Sequence, residues 1–425
     1  MIGFLAALAI SGQTDARMGG AYREDRAGWA CVHLKGAPRD IGFQYGELLA
    51  SEIDDVQKAL HDSLKRKTGQ DWGYYRDTAK KLFWGKLDPE YQQEIEGQAE
   101  GLKARGLPYD QWDVLALNGY IELSMYYLPW TQHQPARNEA CSAFIATGSE
   151  TSDGKIVIGQ NLWWDLQMGE RFNAMLDITP EKGHRILMDA LPGFIHSGTD
   201  FAVNDAGIML TETTLPILND FDPNGVPEFE RMRKAIQYSE SLPDFVRIMK
   251  AGNNGGYANT WLVGDRKTNA IGKLELGLKN VTWTSTKDGY FVGSNFPENP
   301  KLISEEMAGW DTDPRRNGCE ARRQRWTTLL TKDKGQVDPN LAKGFLADTV
   351  NPITGDIGAS DFTLCGRIPD FGATNAKVIT SDLAGSMSFW GRMGAPDGVP
   401  FAVTESLPYE HDLAPQAWVL LKADR

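Results

Sequence analysis

"NEACSAFIATGSETSDGKIVIGQNLWWD", residues Asn138 to Asp165, reads as strand, turn and strand. Its first strand opens on Cys141, directly behind Glu139 and Ala140, in a chain of 425 residues with four cysteines. Two readings of Cys141 follow from elementary chemistry. Free cysteine is among the most buried residue types and commonly packs as a small hydrophobe. A nucleophilic thiol, by contrast, needs a proton acceptor. The six histidines (His33, His61, His133, His184, His196 and His411) are scattered. His196, in "GFIHSGTDF", has the best context among them, and it reads more simply as a polar loop or strand residue. A chain break before Cys141 would supply a different base. The new α-amine, with a pKa of roughly 7.7–8.0, can take the proton of its own side chain. On the residues alone both readings stand.

The surroundings of this stretch set the fold class. Upstream, "GAPRDIGFQYGELLASEIDDVQKALHDSL" places Ile41, Tyr45, Leu48, Leu49 and Ile53 at helical spacing. "DPEYQQEIEGQAEGLKARG" opens on Asp88-Pro89 and closes on Gly106, and "YDQWDVLALNGYIEL" continues the pattern. A short strand is expected at Cys31–Leu34. After Pro129 the texture changes to short strands punctuated by Gly, Asn and Asp, with one helical stretch, "VPEFERMRKAIQYSESLPDFVRIMKAG", broken near Pro243. Helices first, then strands with interleaved helices, predict an α+β layered fold. The change divides the chain into a helical segment, 1–140, and a strand-rich core, 141–425.

Composition excludes several classes. The net charge of -13 argues against phosphate-backbone binding, and "RRNGCEARRQR" (Arg315 to Arg325) is a lone basic cluster. No nucleic-acid partner is expected. No segment reaches the ~18 apolar residues of a membrane span, so no stable membrane insertion is expected. "MIGFLAALAISGQTDA" has the length of an export signal without its positive start, and export is set slightly ahead of a cytoplasmic place. Without CxxC, HExxH or Cys/His ligand spacing, no metal is expected. Pairing of Cys319 with Cys365 stays open.

Beyond single residues, an ordered series of motifs resembles the phospholipase B-like proteins. "EACSAFIATGSETSDGKIVIGQNLWWDLQMGERFNAMLDI" is similar to the region where that family's nucleophilic cysteine begins the mature large chain. "LPGFIHSGTDFAVNDAGIMLTETT" resembles its S-Y-P-G, S-x-D-D-F and E-T-T elements, and "NNGGYANTWLVGD" its Y-N-N-Q-W-[ML]-V-x-D. "VGSNFPENPKL", "DPRRNGCEARRQRW", "FGATNAKVIT" and "GAPDGVPF" follow in the family's order. "LKGAPRDIGFQYGELLASEI" and "EIEGQAEGL" are similar to the penicillin acyltransferase-type cysteine family. Both families are N-terminal nucleophile hydrolases.

The resemblance implies a four-layer αββα sandwich and self-cleavage between Ala140 and Cys141, the two chains staying associated. It implies Cys141 as nucleophile and Asn259 as oxyanion donor. Gln160 stands where one family has histidine and the other commonly has arginine, so it can donate hydrogen bonds but cannot titrate. Arg323, or its neighbour Arg322, matches an arginine pair that orients the amine. Asn161, Trp163, Glu212 and Thr213 are implied at the substrate pocket. Bland alternatives remain for each: a turn asparagine for Asn259, a satisfied strand carboxylate for Glu212, packing for Trp163. No cofactor is implied. The expected reaction is hydrolysis of an amide or ester of a small acyl or lipid substrate. Transfer of the acyl group to an amine is the alternative, and a non-catalytic lipid-binding protein a third reading.

Overall fold

Strands whose side chains alternate between two apolar environments form the framework of the chain after Cys141. The structure is a computed structural model that describes residues 15–137, 141–307, 309–404 and 407–423. Among the described residues one sheet has nine strands. In spatial order they are β1 (Tyr22–Arg26), β2 (Trp29–Gly36), β6 (Ala174–Pro180), β7 (Ile186–Ala190), β8 (Ala202–Asn204), β9 (Ile208–Thr214), β11 (Asn259–Asp265), β12 (Ala270–Leu276) and β13 (Val281–Thr286). A second sheet runs β14 (Gly289–Gly293), β4 (Ser142–Thr147), β5 (Val157–Asp165), β16 (Phe371–Thr380), β17 (Ser388–Met393) and β18 (Val419–Lys422), with β15 (Arg367–Ile368) paired to β16. A two-stranded ribbon joins β3 (Ala136–Arg137) to β10 (Ile217–Leu218).

Side-chain alternation sorts these strands into layers. Along β9, Ile208 and Leu210 join one apolar cluster while Met209 joins another. Along β11, Trp261 and Val263 split from Leu262 in the same way. On the second sheet, Ala143 and Ile145 share the cluster of Met209 and Leu262, whereas Phe144 and Ala146 face Trp326, Phe345 and Leu346. The middle cluster therefore takes residues from both sheets. The hydrophobic effect holds them face to face, at about 25 cal/mol per Å² of apolar surface buried.

The helical segment covers the outer side of the nine-stranded sheet. The helix expected from Ile41 onward is two helices, α1 (Pro38–Leu48) and α2 (Ala50–Thr68), because Leu49 leaves helical geometry at φ -114°, ψ 26°. α3 (Trp72–Leu82), α4 (Pro89–Ala104) and α5 (Gln111–Glu122) follow. Gly42 and Gly46 of α1 face Gly97 and Gly101 of α4 so closely that a methyl group at any of the four would overlap the opposing backbone. That spacing, four residues apart on each helix, explains the two glycine pairs in the sequence. Ile53, Leu60 and Leu117 then share one core with Leu210 and Trp261 of the sheet. The α+β reading holds.

Candidate active site

Cys141 sits at the mouth of β4, one residue before the ladder begins. Its φ is +83°, a left-handed conformation that costs a residue with a side chain roughly 1–2 kcal/mol. Strain of this kind persists only where packing dictates it. The thiol is fully buried, and the backbone N–H of Trp163 on β5 points at its sulfur. Burial pushes the thiol well above its ordinary range, and the Glu212 carboxyl adds to this; the Trp163 N–H and the Lys377 ammonium pull the other way.

Glu212 comes from β9 of the facing sheet. Its carboxyl accepts from Tyr257 Oη at 3.3 Å and from Asn259 Nδ2 at 2.8 Å. Asn259, at the start of β11, also donates to the Ala258 carbonyl at 2.9 Å, so both of its amide protons are engaged. Burial, reinforced by Asp200, holds Glu212 protonated far above the usual carboxylate range. Gln160, on β5, spans the gap between sheets, donating to the carbonyls of Thr199 (2.7 Å) and Glu212 (3.2 Å). The structure thus brings Cys141, Gln160, Glu212 and Asn259 together, with the Trp163 backbone beside the sulfur.

The other expected residues lie differently. Asn161 points to the opposite side of β5 and donates to the carbonyls of Leu346 and Leu364. The Trp163 ring lies on that side too, with the Arg322 guanidinium 4.4 Å above it. Arg322 is buried and bonds Asn295 Oδ1 (3.0 Å) and the carbonyls of Asp361 and Ser294. Arg323 is brought to none of these. Its side chain is 41% exposed and pairs with Glu298 and Glu320, because neighbouring helix positions point about 100° apart. Of the two arginines it is Arg322 that is buried, on the Trp163 side of β5. Thr213 is buried with its hydroxyl unpartnered against Gly293. Ala140, the other half of the expected cleavage site, lies outside the described residues, as do residues 1–14. No disulfide joins Cys319 to Cys365: Cys365 is a buried thiol, and Cys319 Sγ lies 3.4 Å from Arg322 Nη2. Among the described residues no cluster of ligating side chains could hold a metal ion.

Several neighbours were missing from the sequence reading. Lys377 of β16 is completely buried and pairs with Asp189 of β7 at 2.7 Å. Asp200, also at positive φ, has neither carboxylate oxygen in a well-formed hydrogen bond, and burial followed by the Asp189 charge raises it to about 8. Glu228, at the start of the helix Glu228–Tyr238, is raised well above its ordinary value by burial and then by Asp200. The signal that existed was a lysine in "GATNAKVIT", on the strand face that Ile379 turns to the core between the sheets. His196 lies against the Phe194 ring at 4.4 Å with both nitrogens unpartnered, and burial lowers it to about 3, which makes it a poor base. A cavity of about 510 Å³ opens beside Trp164, the residue after Trp163; Leu60, Leu64, Tyr120, Met125 and Met168 line it, and Lys67 and Asp165 pair at its edge (3.1 Å).

The family model described as "Phospholipase B" matches residues 111–396, from α5 to just beyond β17. The chain is 28% identical to an uncharacterized protein of Archaeoglobus fulgidus, over 56% of this chain and 41% of that protein. It is also 28% identical to phospholipase B-like protein G of Dictyostelium discoideum, over 40% of this chain and 27% of that one. Each match covers less than half the length of the curated relative. Every residue of the Cys141 cluster falls inside the matched region, and the chain belongs to the phospholipase B family.

Proposed function

We propose that the protein is a cysteine acyl hydrolase of the N-terminal nucleophile kind, built on a four-layer αββα sandwich and activated by self-cleavage between Ala140 and Cys141. The observation that carries this reading is Cys141 itself: a fully buried thiol, held at φ +83° at a strand mouth and ringed by hydrogen-bonding side chains from both sheets. A structural cysteine needs none of this. The family match favours a lipid acyl bond as substrate.

In this reading cleavage frees the α-amine of Cys141, which takes the thiol proton. The sulfur attacks the acyl carbonyl, the alcohol or amine departs, and water releases the acyl group from the thioester. Asn259 is the oxyanion donor. Its amide must first give up either Glu212 or the Ala258 carbonyl, so Glu212 governs when that donor is free. The apolar cavity beside Trp164 takes the acyl chain. The fragments 15–137 and 141–423 bury one common core, which keeps the two chains together after cleavage.

The test is a trapped intermediate. Brief mixing with a p-nitrophenyl acyl ester, followed by acid quench and peptide mass analysis, should place the acyl group on Cys141 alone. Acylation elsewhere, or turnover that survives Cys141→Ala, would overturn the reading.

A further inference from the structure

The pair Lys377–Asp189 is the least expected feature of the core between the sheets. Both side chains have zero exposure. A buried ion pair is weak support for stability, since an apolar pair of similar volume commonly does as well. Its position is more informative. Lys377 stands in register with Gln160 of β5, and Gln160 in register with Ala143 of β4, two residues after Cys141. One cross-strand row thus links the nucleophile's strand to the lysine. Asp189 closes a loop around this row. Its Oδ2 holds Lys377, and its Oδ1 accepts from Ser197 Oγ (3.1 Å) and Thr199 Oγ1. The Thr199 carbonyl in turn accepts from Gln160. Lys377 Nζ also bonds Asn375 Oδ1 at 2.9 Å.

We propose that Lys377 is a positioning residue of the Cys141 site, fixing Gln160 and the 197–200 turn through Asp189 and supplying the positive charge that faces the carboxyl groups around the thiol. The proposal rests on Cys141 being the nucleophile. The groups facing the thiol region are Glu212 on β9, Asp200 in the turn, Asp189 on β7, Tyr257 before β11 and Glu228 at its helix start. Three carboxyl groups besides Asp189 crowd the thiol region, and Lys377 is the cation that acts on Cys141, Glu212 and Asp200 alike. Thiolate and tetrahedral oxyanion are both negative, so a fixed cation favours both.

The experiment follows iodoacetamide labelling of Cys141 against pH in the whole purified protein, read by peptide mass. Lys377→Met keeps the length and removes the charge; its labelling midpoint should move up, with labelling about tenfold slower below the midpoint. Asp189→Asn leaves the lysine without its partner and should move the midpoint down. A purely structural bridge would shift neither midpoint. Wild-type profiles in folded variants, or shifts in the same direction, overturn the proposal. If one variant fails to fold, the direction of the other decides; if both fail, the pair is only a bridge and the proposal falls. A Cys141 that never labels, with activity surviving Cys141→Ala, overturns the nucleophile reading and this role with it.

Discussion

Two buried aspartates show how differently the two halves of the molecule treat charge. Asp113, in the first turn of α5, has both carboxylate oxygens engaged. It accepts from Trp72 Nε1 at 2.8 Å and from the Asp110 N–H at 2.9 Å, completing a capping box, and it pairs with Arg76. Asp200, in the turn before β8, has neither oxygen in a well-formed hydrogen bond; carboxyl groups crowd it, and only the Gly198 N–H and a shared lysine favour its charge. Asp113 ties α3 to α5, as a structural carboxylate should. Asp200 instead stands beside the strained cysteine and acts on its thiol. Unsatisfied buried groups are costly and persist where chemistry needs them.

The contrast can be broken most forcefully at Asp113. Asp113→Ala strands Trp72 Nε1, the Asp110 N–H and Arg76 together, and should cost about 3 kcal/mol in urea denaturation. Turnover of the protein that remains folded should be unchanged. Asn259→Ala acts on turnover instead: on the proposed reading it removes the oxyanion donor and should lower kcat by about 10²–10³. Near-normal kcat would move that role to another residue.

Asp200 sharpens the comparison through pH. Its folded-state pKa, about 8, lies above its ordinary value of 3.8, so the folded chain holds a proton that the unfolded chain releases. Stability contributed by that proton is present below pH 4 and is lost as pH rises toward 8. Asp200→Asn mimics the protonated form. Its melting temperature should equal wild type at pH 4 and exceed it by a few degrees at pH 8. Equal melting temperatures at both pH values would place Asp200 in water. The smallest effect belongs to Arg323→Ala, whose exposed pairs with Glu298 and Glu320 should be worth under about 1 kcal/mol, with turnover within about twofold of wild type.

What the sequence made legible follows from how local each signal was. β4, β5, β9 and β11 announce themselves as short apolar runs punctuated by Gly, Asn and Asp, and α4 by Asp88-Pro89 and Gly106, whose φ is +80°. Cys141, Gln160, Glu212 and Asn259 were reachable because each lies in a short motif of its own. Lys377 was not: its partner Asp189 is 188 residues away, and pairing β16 with β5 depends on a crossover that no local pattern encodes. Arg322 and Arg323 differ only in helical phase, which the motif does not carry. The split at Leu49 was hidden because the apolar spacing runs through it unbroken.

The central claim is that Cys141 becomes an N-terminus, and the intact mass of the purified protein tests it most directly. The account predicts two associated fragments, the larger beginning with Cys141, and a single uncut, inactive chain for Cys141→Ala. A single uncut wild-type chain that hydrolyses acyl esters would contradict it.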